Sequence, residues 1–219
     1  MSTIAFATDP EDYLSTLTQL VAEIRDELDD SGYSLDKIYR AIGRAEAMFN
    51  RLLRAPQMET EDFLTVTSES TDLPLDFLSL RSVYVEGSPD NPLRSMSPAG
   101  LRRQYLGRSG TPEAYALENM RVIVGPVGDA SLTLLYYAKL TPLTENNPTN
   151  WLLRDYPDAY LHQVLSILFQ KTGDRARAAD HLSQASAVIE QINAAGRKAR
   201  WGGSPLTPHL ITQVSGSRI

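Results

Sequence analysis

Between residues 136 and 161 (YYAKLTPLTENNPTNWLLRDYPDAYL) the chain changes its period. Residues 132–138 read as a strand, whereas Tyr160, Leu161, Val164, Leu165, Leu168 and Phe169 recur at helical spacing. A turn rich in Pro and Asn joins the two and keeps apolar anchors of its own. The corner constrains the fold because a strand block and a helical segment must meet there at a fixed angle. Pro142, Pro148 and Pro157 stiffen it, and Trp151 and Tyr160 are the residues expected to pin it to a helical core. Asp155 and Asp158 flank Pro157 and read as cap and dipole residues at a helix start, not as an acid–base pair. Tyr136 and Tyr137 point to opposite faces of one strand, so only one is expected in the core and the other toward a partner.

Helical periodicity opens the chain as well. Asp9 is a candidate cap, Pro10 suits the first helical position, and Glu11 and Asp12 favour the positive end of the dipole. Leu14, Leu17, Val21, Ile24 and Leu28 form one apolar stripe, ended by Asp29, Asp30 and Gly32. A second helix starts near Ser34, with Leu35, Ile38, Tyr39, Ile42, Phe49, Leu52 and Leu53 as its buried face, and Pro56 closes it. The short connection predicts an antiparallel helical hairpin.

From about residue 60 the pattern turns to strand. Phe63, Leu64 and Val66 make a short run, and residues 73–85 read as a turn at Pro74 followed by an extended segment. A loop follows at Gly87, Pro89, Asn91 and Pro92, and Ser97-Pro98 starts a short helix with Leu101 and Tyr105 on one face. Strands are predicted at 114–117, 120–124 and 132–138, with tight turns at Asn119 and over 125–129; such short connections imply antiparallel pairing. Beyond the corner, Gly173 stops one helix and Asp174 caps the next, whose stripe is Ala178, Leu182, Ala185, Ile189 and Ile192 and which Gly196 ends.

The expected fold class is α+β: mainly a bundle of four main helices carrying a small inserted antiparallel β domain. Residues 9–58 and 146–196 form the discontinuous bundle, 59–145 the insert, and 197–219 an extended C-terminal arm. No apolar run approaches the roughly 20 residues that cross a bilayer, and the start lacks a signal-peptide pattern, so no membrane partner is expected.

Reaction chemistry is not apparent. Without cysteine there is no thiolate catalysis or thiolate metal site. His162 and His181 have no partner at helical spacing, His209 stands alone, and no nucleophile elbow, Walker loop or dinucleotide fingerprint occurs. No catalytic residue, metal or cofactor is expected. Charge is instead distributed unevenly. Residues 1–80 hold 16 acids and 6 bases, whereas the last 24 residues hold four bases and no acid. Glu23, Asp26, Glu27, Asp29 and Asp30 are the densest acidic cluster. Arg197, Lys198, Arg200 and Trp201 form a basic segment with one aromatic, the composition of a docking arm. Its few charges support only salt-sensitive, non-specific contact with nucleic acid.

Several segments in order carry a resemblance: residues 73–85, Ser97-Pro98 with Leu101, the step Gly110-Thr111-Pro112-Glu113-Ala114-Tyr115, and above all LTENNPTNWLLRDYPDAYL, followed by a helix and RWGG. Over residues 10–203 the chain resembles tailed-phage head–tail adaptor proteins, also called connector or tail tubular proteins. The resemblance implies a helical bundle with an inserted β domain, and a non-catalytic virion protein assembled in the host cytoplasm. It implies a ring of identical subunits, usually a dodecamer, below the portal protein. Such a ring extends the DNA channel, which DNA passes non-specifically, and offers a platform to a downstream tail or nozzle protein. In it the acidic cluster would line the channel and the C-terminal arm would meet the portal. The alternative is a non-viral helical scaffold that binds protein partners without forming a ring.

Overall fold

A computed structural model describes residues 14–28 and 33–200. Helix α1, Leu17–Glu27, opens on a capping box: Gln19 N donates to Thr16 Oγ1 at 3.4 Å while Thr16 N donates to Gln19 Oε1 at 2.9 Å. Leu14 precedes it with φ 64° and is still buried. The start signal at Asp9-Pro10-Glu11-Asp12 and the stop at Asp29, Asp30 and Gly32 lie outside the described residues. Helix α2, Leu35–Leu52, follows Ser34, and a 3-10 turn at Pro56–Met58 leads to the strands.

Strand β1 is Glu59–Val66, β2 is Ser70–Asp72, β3 is Phe77–Val85, β4 is Arg94–Ser95, β5 is Ala114–Glu118, β6 is Arg121–Gly125 and β7 is Ala130–Ala138. Helix α3, Pro98–Tyr105, lies between β4 and β5, with Gly100 N donating to its cap Ser97 Oγ at 3.2 Å. The order β1-β7-β3 makes an antiparallel sheet, with Glu59 opposite Tyr137 and Val83 opposite Leu134. The order β2-β6-β5-β4 makes a second sheet, in which β4 and β5 run parallel. The chain then returns to helix: α4 at Trp151–Asp155, α5 at Pro157–Thr172 and α6 at Arg175–Arg200. Gly173 has φ 85°, the left-handed stop that glycine favours, and Arg177 N donates to Asp174 Oδ1 at 3.1 Å.

The layers follow from alternation along the strands. Val66, Val83, Leu132, Leu134 and Tyr136 of the first sheet meet Val122 and Val124 of the second in one core. On the far face of the second sheet, Leu101 and Tyr105 of α3 cover Ala114, Ala116 and Ile123. The largest core lies among the helices, where α5 is central and α1, α2, α4 and α6 pack on it. Tyr137 belongs to that helical core and Tyr136 to the core between the sheets. Both tyrosines are therefore buried, because β7 has a core on each face at this height. The expectation that one would face a partner is corrected.

The expected architecture is corrected too. The described residues form six α-helices and seven strands in two sheets, not a four-helix bundle with a small insert. Two hydrophobic cores lie in the strand region, and β3 and β7 are nine residues each. β1 extends the short run predicted at Phe63, Leu64 and Val66 back to Glu59, through the charged residues of a sheet edge half open to solvent. Pairing is not purely antiparallel, because α3 and its loops supply the crossover that lets β4 lie parallel to β5. α1 and α2 lean on α5 instead of forming a hairpin. Along α2 the buried line is Ile38, Ala41, Ile42, Ala45, Glu46 and Phe49, so the predicted Ile38, Ile42 and Phe49 are joined by small alanines while Leu35, Tyr39 and Leu52 are exposed.

One close approach in the strand region gives a direct test. A Cβ on Gly125 would stand 2.6 Å from the Tyr105 ring. Gly125→Ala is expected to cost about 2 kcal/mol by overpacking the contact between α3 and β6. A urea titration followed by circular dichroism should show the midpoint fall, and an unchanged midpoint would mean that the ring moves aside freely.

Candidate interaction surfaces and the domain junction

The corner is held by polar side chains that reach across from α2. Glu46 and Asn50 are one turn apart on that helix. Leu143 N donates to Glu46 Oε1 at 2.7 Å, and Leu140 N donates to Asn50 Oδ1 at 2.7 Å. Two backbone donors of the segment leaving β7 are thus satisfied by helix residues 90 and 97 positions earlier. Asn150 caps α4, accepting from Leu153 N at 2.9 Å, and its Nδ2 donates to Thr141 O and to the Tyr160 hydroxyl, each at 2.8 Å. Tyr160 donates to Glu46 Oε1 at 3.2 Å, is fully buried, and meets Phe49 edge-on at 5.0 Å. Burial raises Glu46 above the ordinary glutamate value, against the Leu143 and Tyr160 hydrogen bonds that lower it. Burial first, then the Glu46 charge, push the Tyr160 phenol up.

The predicted junction residues fall around this network. Pro148 O accepts from Leu17 N at 2.7 Å and so ties the corner to the start of α1. Pro142 O accepts from Asn147 Nδ2 at 2.9 Å, and Thr144 and Asn147 exchange backbone hydrogen bonds of 2.9 and 3.1 Å. Pro157 is the first residue of α5, where its missing N–H costs nothing. Trp151 is partly buried against the helical core and meets Tyr156 edge-on. Glu46, Asn50 and Asn150 were not singled out in the sequence. Asn150 had a local signal as a cap; Glu46 and Asn50 had none, because their partners are distant in the chain.

The C-terminal bases are placed at the end of α6, which continues through Gly196 to Arg200. Gly196 does not stop the helix. It packs on the chain before β1, where a Cβ would stand 3.0 Å from Pro56. Arg200 pairs with Glu59 at 3.1 Å, donates to Arg54 O and lies 5.3 Å over the Tyr137 ring, which Arg54 and Arg81 also approach at 5.9 Å. Arg81 pairs with Glu59 as well. Arg197 pairs with Glu190 at 2.7 Å. Lys198 is exposed, and Trp201 lies outside the described residues. Two of the three placed bases therefore hold the end of α6, one of them against β1.

Glu23, Asp26 and Glu27 lie along one flank of α1; Asp29 and Asp30 lie outside the described residues. His162 and His181, unpartnered along their own helices, meet across α5 and α6 with their Nδ1 atoms 3.1 Å apart, and Phe169 stacks on His181. Burial first, then the His162 charge, lower His181. His209 lies outside the described residues. Among the described residues no three His, Cys, Asp or Glu side chains are grouped to hold a metal ion, and no helix is long and apolar enough to cross a membrane.

Thus the described residues show a braced corner and charged flanks. The family described as SU10 adaptor protein matches residues 15–209, which spans helices and both sheets. The chain belongs to this family. It is a phage adaptor family, so membership makes the chain a structural virion protein that connects head and tail and interacts with other head and tail proteins. No curated protein matches the chain.

Proposed function

We propose that this adaptor forms a homo-oligomeric ring, a dodecamer, below the portal protein, extends the DNA channel and presents a platform to a downstream tail or nozzle protein. The family match over both the helical and the strand regions carries the reading. The braced corner supports it: with Leu140 and Leu143 held by Asn50 and Glu46, the sheets keep one angle to the helices, and a ring repeats that angle in every subunit. In this reading residues 9–58 and 146–196 act as one helical domain, 59–145 as a second, and the arm docks on the portal. The role is non-catalytic, and DNA passes without sequence readout. Mixing the purified protein with the portal of the same phage should give ring-capped portals in negative-stain images. Failure to bind that portal would overturn the proposal.

Residues 197–200 are helical and Arg200 braces β1, so a cut before Gly196 would damage the fold. Removing residues 201–219 is instead expected to leave the circular dichroism spectrum and the unfolding midpoint unchanged while weakening portal attachment about tenfold or more, the loss of an anchor such as Trp201. Attachment at the full-length level by the shortened chain would exclude a docking role for the arm.

A further inference from the structure

The helical layer carries opposite charges on two sides. On α2, Lys37, Arg40 and Arg44 are exposed and follow one another at spacings of three and four, so they stand in a line along one face. Arg51 continues the line two turns on, and Lys171 in the last turn of α5 stands beside it. Among the described residues, only Arg40 of these has an ion-pair partner, Asp36 one turn before it. Burial and then the charges of Arg44, Arg40 and Lys37 lower Lys171. Stacked like charges weaken a helix by about 0.2–0.5 kcal/mol per pair. Asp36 beside Arg40 and the Tyr33 ring 5.8 Å from Lys37 offset part of that cost, and the chain as a whole has a net charge of −6.

The second side is a groove between α1 and α6. Asp26, Glu27 and Asp180 line it together with His181, and Glu23 stands one turn above on α1. Arg177 lines it too, is drawn to Asp174 at 3.5 Å and covers Phe169. Phe169 borders the groove and Lys171 belongs to the ridge; two positions on an α-helix are about 200° apart. Ridge and groove therefore lie on opposite sides of α5 at the same height.

We propose that the basic ridge of Lys37, Arg40, Arg44 and Lys171 seats on the acidic groove of α1 and α6 in a second copy of this chain. Two different, complementary patches on opposite sides of a subunit make a head-to-tail contact, the type that closes into a ring. The ridge, with Asp36 beside Arg40, is net basic, the groove, with Arg177 among Asp26, Glu27 and Asp180, is net acidic, and DNA on the ridge would leave the groove unmatched. Charge pairs of this kind set direction and partner choice more than affinity. The inference rests on the ring reading above. It gives Glu23, Asp26 and Glu27 a neighbouring subunit to face instead of the channel.

Charge reversal on the full chain, with portal as the template, tests it. K37E/R40E/R44E and D26K/E27K/D180K should each lower the number of ring-capped portals about tenfold or more at physiological salt. A chain carrying both sets should recover rings, as should an equal mixture of the two single-set proteins, because each then offers the other its complement. The milder K37Q/R40Q/R44Q, checked for native circular dichroism, covers the case in which reversal unfolds α2; it should still lower ring number severalfold. Wild-type rings on portal together with undiminished rings from folded ridge variants would overturn this inference alone. Wild-type protein that makes no ring on portal would overturn the ring reading itself. Ridge variants that keep their rings but lose retention of duplex DNA would assign the ridge to DNA and overturn the contact between copies.

Discussion

Tyr160→Ala is expected to cost about 4 kcal/mol of folding stability. The ring is fully buried and edge-on to Phe49, so its removal opens a cavity between α2 and α5. The hydroxyl is the meeting point of Asn150, 2.8 Å away, and Glu46, 3.2 Å away, so truncation also removes a partner from each. A domain of this size has about 5–15 kcal/mol in all, so the variant should sit near the edge of folding. Urea unfolding followed by circular dichroism measures the loss. Tyr160→Phe keeps the ring and loses only the hydroxyl contacts, with an expected cost of about 1–2 kcal/mol. If the two variants unfold at the same midpoint, the packing against Phe49 contributes little and the hydrogen bonds are the anchor. A wild-type midpoint for Tyr160→Ala would remove Tyr160 from the account of the corner.

What could be read from the sequence was mostly local. Ser97-Pro98 announces α3, and the structure adds only the hydrogen bond from Gly100. Asn119 marks the turn between β5 and β6, where it and Met120 take φ of 49° and 59°. Gly173 and Asp174 separate α5 from α6 as their types predict. Where the reading failed, a distant partner decided. Gly196 looks like a helix stop, yet it lies within α6 because Pro56 packs against it. In α2, Ile38, Ile42 and Phe49 are buried as their spacing predicts, yet Ala41 and Ala45 complete that face and Leu35, Tyr39 and Leu52 stay exposed. The pair Tyr136-Tyr137 shows two faces in sequence, but that both faces are covered depends on helices packing at one end of β7. Arg200 reads as a docking base, and only the position of Glu59 shows that it is already engaged. The corner itself was legible as a corner. Its braces Glu46 and Asn50 were not, because a polar residue in an amphipathic helix carries no mark of which backbone it will satisfy.

Glu46→Ala is expected to cost about 3 kcal/mol, because it leaves the buried Leu143 N–H without its acceptor and the Tyr160 hydroxyl with one partner fewer. Glu46→Gln keeps an oxygen at the same place and should cost under about 1 kcal/mol at neutral pH. The two substitutions also differ from wild type in their dependence on pH, and the sign follows from burial. In the folded chain Glu46 holds its proton more tightly than the ordinary glutamate value of 4.5, so folding favours the protonated form. Its contribution is fully present below that value and declines as pH rises through the higher folded value, beyond which the cost of the buried charge is constant. The stability of wild type relative to Glu46→Gln should therefore be greatest in acid and fall as pH rises above about 4.5. Taking the difference between the two proteins at each pH cancels the many other carboxylates. A flat difference would mean that Glu46 titrates alike folded and unfolded. The hydrogen bonds from Leu143 N–H and the Tyr160 hydroxyl would then offset the cost of burial in full.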